Sequence, residues 1–153
     1  MNRNVVLLVA MLAVAASVPS AQIPIGKEFD LAVGDSVAVG PERLTVGFEK
    51  IASDSRCPIG VLCIWEGDAA AEMWADLPDL GREDFVVHSN HGFDYAIRYG
   101  GYVIELKRVS PYPEYGVPND PKAYVITVAV SGGHAPTEKA TGAGSRRCTE
   151  PGD

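Results

Sequence analysis

From Phe29 onward the chain is written mostly in short runs that alternate apolar with polar residues, cut every few positions by glycine or proline. That pattern constrains the fold more than any other feature. A period of two lays one face of an extended strand against a core, whereas a helix needs a period near 3.6. Phe29, Leu31 and Val33 alternate with polar neighbours, Gly34-Asp35 makes a turn, and residues 36–39 follow as a second run. Gly40-Pro41 breaks that run before Leu44, Val46 and Phe48 resume it. In residues 64–77, Ala69, Ala71, Met73 and Ala75 share one face, with Glu72, Trp74 and Asp76 on the other. Leu77-Pro78-Asp79-Leu80-Gly81 reads as a turn, and residues 85–88, 95–99, 102–109 and 124–130 read as further strands. Gly100-Gly101 between two of these runs is a two-residue hairpin signal. Only residues 69–74 carry helix-forming composition, and Gly67 and Pro78 on their flanks tip them toward strand. The expected fold is therefore all-β: an antiparallel β-sandwich, Ig-like or related, or a barrel, of about seven to eight strands.

Residues 1–20 read as a secretory signal peptide. Arg3 precedes an apolar run over residues 5–18, and Pro19-Ser20-Ala21-Gln22 offers cleavage after Ser20 or Ala21. The run falls short of the ~20 apolar residues of a membrane span. No cysteine stands at the cleavage region to take a lipid, so no stable membrane anchor is expected after cleavage. The product is an exported protein, periplasmic or extracellular. Residues 21–130 form a single β domain. Residues 131–153 hold no large apolar side chain, cannot offset their ordering entropy by burial, and are expected to be a disordered tail. The formal net charge of −7 disfavours a phosphate backbone as partner, so no nucleic acid is expected.

Three cysteines leave one odd. Cys57 and Cys63 lie six positions apart in a turn-rich segment, so the expected disulfide joins them and leaves Cys148 free in the tail. Closing a loop of about seven residues is worth ~2.4 kcal/mol in the chain-entropy description. Trp65, two positions past Cys63, shares its face on an extended strand and is expected to pack near the bridge. Asp54 and Arg56 flank Ser55 just ahead of the loop. Two readings apply to them: a polar network that orders the loop, or an Arg56 displayed at its tip to engage an anion or a protease cleft.

The residues Asp54-Ser55-Arg56-Cys57-Pro58, followed by Gly60-Val61, Cys63-Ile64-Trp65 and Gly67, resemble a family of small secreted proteins and lipoproteins of bacteria, uncharacterised in activity. Its members share a DSRCP…C-x-W-x-G turn, a later Gly-Tyr, and a Ser-Pro-Tyr-Pro segment. Here these are Gly101-Tyr102 and Ser110-Pro111-Tyr112-Pro113, with a final strand in residues 120–130. The resemblance spans residues 29–130 and implies a secreted β-rich domain; it assigns no activity. Many members carry a lipid-anchoring cysteine, which is missing at the expected place in this sequence.

Other candidate chemistry is sparse. His88 and His91 are the closest histidine pair and weak candidates for a metal, because on a strand three positions apart they point to opposite faces. No nucleophile-elbow, zinc-protease or phosphate-loop pattern occurs, and no cofactor is expected. Residues 110–121 contain Pro111, Pro113, Pro118 and Pro121, so they cannot enter a sheet interior and should cover one end of the fold. Tyr112 and Tyr115 on that loop join Asp54, Arg56 and Trp65 as the expected contact surface. The functional expectation is a secreted, non-enzymatic β-sandwich module that binds an unknown protein or small ligand. The alternatives are a protease-inhibitor-like binder presenting the disulfide-pinned loop, and a metal or small-ligand carrier.

Overall fold

The structure, a computed structural model, describes residues 22–132. The expected signal peptide, Cys148 and the tail beyond Gly132 lie outside them. Eight strands form: β1 (Glu28–Ala32), β2 (Ser36–Val39), β3 (Leu44–Asp54), β4 (Ala69–Leu77), β5 (Gly81–His88), β6 (Ala96–Tyr99), β7 (Tyr102–Ser110) and β8 (Val125–Gly132). They build two four-stranded antiparallel sheets, ordered β2-β3-β4-β5 and β1-β8-β7-β6. Followed along the chain, the order is a meander that changes sheet at β1–β2 and again at β5–β6. It lacks the interleaved strand order of immunoglobulin domains. The two sheet changes separate a sandwich from a closed barrel, which settles the choice between them.

The alternation read from the sequence decides which side chains meet between the sheets. Ala69, Ala71, Met73 and Ala75 of β4 are all buried, as are Tyr102, Ile104 and Leu106 of β7. They join Val46 and Phe48 of β3, and Ile126, Val128 and Val130 of β8, in one core. The alanines of β4 make room for larger neighbours, and Gly47 opposite Trp74 does the same. A β-carbon at Gly47 would sit 2.1 Å from the indole. Trp74 can therefore lie flat across β3, with the Arg82 guanidinium 4.4 Å above its ring. At the β6–β7 turn Gly100 and Gly101 both take positive φ, 55° and 83°, the conformation a tight two-residue hairpin requires.

Two differences from the sequence reading matter for the site. β4 begins at Ala69 rather than in the cysteine segment, so residues 55–68 form a long loop. β3 extends to Asp54, past two irregularities in its pairing with β4, and carries the start of that loop to the end of the sheet. A smaller difference lies at β8, which continues through Ser131 and Gly132 into the segment expected to be tail.

Because strands alternate in direction, the connections sort to two ends. The β2–β3, β4–β5 and β6–β7 turns lie at one end, the base. Ile23 bridges Val39 there, and Gly132 pairs with Tyr102. Both ends of the described span thus sit at the base. The loops 55–68, 89–95 and 111–124 gather at the other end, the apex.

Candidate functional site

The apex is organised by one buried cation. Arg56 is only 8% exposed. Its Nε donates to Asp54 Oδ1 at 2.9 Å and its Nη2 to Asp54 Oδ2 at 2.6 Å, a two-pronged ion pair. Its Nη1 donates to the Val109 carbonyl at 2.6 Å, and Nη2 reaches the Pro111 carbonyl at 2.8 Å. The Tyr112 ring covers the guanidinium at 4.9 Å. A planar fork with several donors suits this task, since one side chain must join a carboxylate on β3 to two carbonyls at the end of β7. Asp54 also accepts from the Arg56 backbone N–H at 3.2 Å and from the Tyr124 hydroxyl at 3.0 Å. Burial pushes the Asp54 carboxyl up, but the hydrogen bonds and charge of Arg56, with Tyr124 assisting, hold it below its ordinary value.

Arg56 is therefore not displayed at a loop tip. Its side chain reaches only the wall of a cleft, and four of its five N–H groups are engaged within the network. Of the two readings of Asp54 and Arg56, the loop-ordering network is the one observed.

A second carboxylate anchors the other side of the loop, and the sequence reading passed over it. Asp68 is buried just ahead of β4. Its Oδ2 lies 2.6 Å from His88 Nδ1, while Oδ1 accepts from the Asn90 backbone N–H at 3.0 Å and from Ser89 Oγ at 3.3 Å. Burial raises its carboxyl pKa, but His88, Asn90 and Ser89 outweigh that and set it below the ordinary value. The available signal was modest: an acidic residue directly before the buried Ala69-Ala70-Ala71 run needs local partners. The Asp68–His88 pair orients an imidazole as a hydrolytic triad would. Ser89, however, sits on the Asp68 side of the ring, and among the described residues no hydroxyl bonds to His88 Nε2.

His91 points elsewhere and stacks on Tyr95 with ring centres 4.3 Å apart. The structure does not bring the two histidines to one centre. Among the described residues no group of three or more His, Cys, Asp or Glu side chains is placed to hold a metal ion.

Between these anchors the loop base is zipped by backbone bonds: Ser55 N–H to the Asp68 carbonyl at 2.7 Å, and Cys57 N–H to the Glu66 carbonyl at 2.8 Å. Gly67 is required there. It has φ +78°, and a β-carbon would stand 2.0 Å from the Ser55 carbonyl oxygen. The Cys57–Cys63 disulfide closes the loop above, with its α-carbons 5.9 Å apart. The proline segment is laced to it by Ile59 N–H to the Pro113 carbonyl at 2.9 Å and Tyr115 N–H to the Ile59 carbonyl at 3.3 Å. The two loops form one rigid cap.

The tip of the cap is apolar, with the exposed Glu66 and Glu114 beside it. Leu62 and Ile64 are fully exposed, at 104% and 107%, with Ile59 and Val61 exposed beside them. Trp65 is 55% exposed and meets Phe93 edge-on, with ring centres 6.5 Å apart. Phe93 in turn lies 5.3 Å from the His88 ring. Tyr112 and Tyr115 are exposed on the proline loop, and Val117 follows them. Residues 57–65 contain no charged side chain at all. A cleft of about 250 Å³ opens beside the cap, bounded by Tyr112, Asn90, His91 and Arg108.

The fold and site together define a two-sheet antiparallel β-sandwich whose apex is a disulfide-closed, apolar cap set on a buried Asp–Arg pair. No family model, no curated protein and no solved structure matches the chain.

Proposed function

We propose that this chain is an exported, non-catalytic β-sandwich module that binds its partner through the apical cap. The observation that carries the reading is where its exposed apolar side chains lie. Of the eleven large apolar residues exposed among the described residues, nine belong to the three apical loops. Singly scattered surface apolar residues need no explanation, whereas a contiguous patch marks an interaction site. The rigid backbone beneath it favours binding, because little loop entropy is lost on contact. Export is supported by the disulfide, which persists in oxidising compartments. The amino-terminal signal pattern and the resemblance to small secreted bacterial proteins point the same way.

A photo-crosslinking side chain placed at position 62, and separately at position 80 on the exposed base turn, tests this in a suspension of the native host's cells. Adducts at position 62 and few at position 80 are expected. No adducts at either position, or equal yields at both, would overturn the reading.

A further inference from the structure

We infer that the partner of the apical cap is a lipid surface, and that Leu62 and Ile64 insert into its acyl region. This rests on the reading of the cap as the binding surface. Three features point to lipid rather than protein. Leu62 and Ile64 project as free knobs, and a fluid bilayer receives such knobs without needing matched pockets. Trp65 on the same loop, and Tyr112 and Tyr115 on the proline loop laced to it, are exposed side chains with an apolar body and a polar end, which settle at the membrane–water boundary. Residues 57–65 carry no charge; the charges nearest them are the buried Arg56, the exposed Glu66 and the exposed Glu114, which bridges Ile59 from the proline loop.

Shallow insertion, about 5–10 Å into the headgroup and acyl boundary, also leaves the loop's backbone bonds intact. Both ends of the described span lie at the base, so nothing described obstructs the apex. Moving one such aliphatic side chain out of water is worth about tenfold or more in partition, so Leu62 and Ile64 together contribute about 100-fold. Binding of that size is reversible, comparable to a single short acyl chain. With a net charge of −7, the chain should prefer zwitterionic to anionic vesicles.

The test uses residues 22–153, the chain expected after signal cleavage, with Trp65 or Trp74 as the sole tryptophan (W74F or W65F), and vesicles of phosphatidylcholine brominated along the acyl chains. Trp65 fluorescence should shift to the blue and be quenched, while Trp74, seated on β4, should not respond. L62S/I64S should lower the partition coefficient about 100-fold with unchanged circular dichroism. Adding phosphatidylglycerol should weaken binding, and raising the salt should not abolish it.

An unquenched Trp65 in vesicle-bound protein would mean that another segment holds the membrane, and would overturn the inference. Binding that demands anionic lipid and vanishes in salt would do so too. Protein adducts at position 62 without Trp65 quenching would sink the lipid partner and leave the binding surface standing. An absence of both would sink the two together.

Discussion

Replacing Arg56 by methionine keeps the aliphatic stem and removes the guanidinium. Asp54, whose side chain is 10% exposed, then keeps only the Tyr124 hydroxyl and one backbone N–H. The carbonyls of Val109 and Pro111 lose their donors at the same time. Breaking a buried ion pair by removing one partner costs about 3–5 kcal/mol, a large part of the roughly 5–15 kcal/mol that holds a domain folded. With a urea m-value of about 2 kcal/mol/M, the unfolding midpoint should fall by about 2 M. The pH dependence separates this cause from lost packing. The folded carboxyl of Asp54 titrates below its ordinary 3.8, so the pair's contribution is full above that value and disappears as pH falls through the folded one. The deficit of R56M should therefore be largest near neutrality and shrink at pH 3. Adding Asp54→Asn, which removes the stranded charge, should recover more than half of it. A midpoint within 0.5 M of the parent, or a deficit equal at pH 3 and pH 7, would refute the assignment of Arg56 as the organiser of the apex.

Gly67→Ala should cost about 2–3 kcal/mol, from a left-handed φ and a clash with the Ser55 carbonyl, and amide exchange at Ser55 and Cys57 should accelerate before global unfolding. Removing the disulfide as C57S/C63S should lower stability by about 2.4 kcal/mol, read by urea melts; a loss below 0.5 kcal/mol would show that the lacing to Pro113 already fixes the loop. At the base, burial and then the hydrogen bond and charge of Glu42, whose Oε2 is 2.5 Å from the phenol oxygen, push Tyr102 up to about 12. Its folded pKa exceeds the unfolded 10.0, so this contribution is complete below pH 10 and is lost as pH rises toward 12. Tyr102→Phe should flatten that alkaline decline, and identical slopes between pH 9 and 12 would contradict it.

The sandwich was legible because period-two alternation is a direct image of burial: Met73 and Ile104 had to face one another's layer whatever the loops did. The cap was legible only in its covalent part. Cys57 and Cys63 announce a closed loop from spacing alone, and the turn glycines announce positive φ. The fate of Arg56 was written locally only in part: Asp54 lies two positions away, but the carbonyls of Val109 and Pro111 lie more than fifty positions away and meet it only when β7 joins the second sheet. Asp68 and His88 were hidden for the same reason, since a carboxylate–imidazole contact across twenty positions depends on the β4–β5 register. The Trp65–Phe93 contact was hidden because β4 was read as reaching back into the loop, whereas it begins at Ala69 and leaves Trp65 between two apical loops.

The resulting geometry divides the DSRCP…C-x-W-x-G segment into two parts with different physical reasons. Asp54, Ser55, Arg56, the two cysteines and Gly67 are accounted for by closure of the loop base: an ion pair, a backbone zipper, a bridge and a steric requirement. Leu62 and Ile64 are not, since side chains this exposed contribute nothing to the core and add to the apolar surface facing water. The two parts should therefore separate under mutation. Substituting scaffold residues should damage folding and binding together, whereas L62S/I64S should leave the melting free energy within about 0.5 kcal/mol of the parent while abolishing the surface. A large destabilisation in L62S/I64S would mean that these side chains pack in solution, and the apex would lose its claim to be a binding surface.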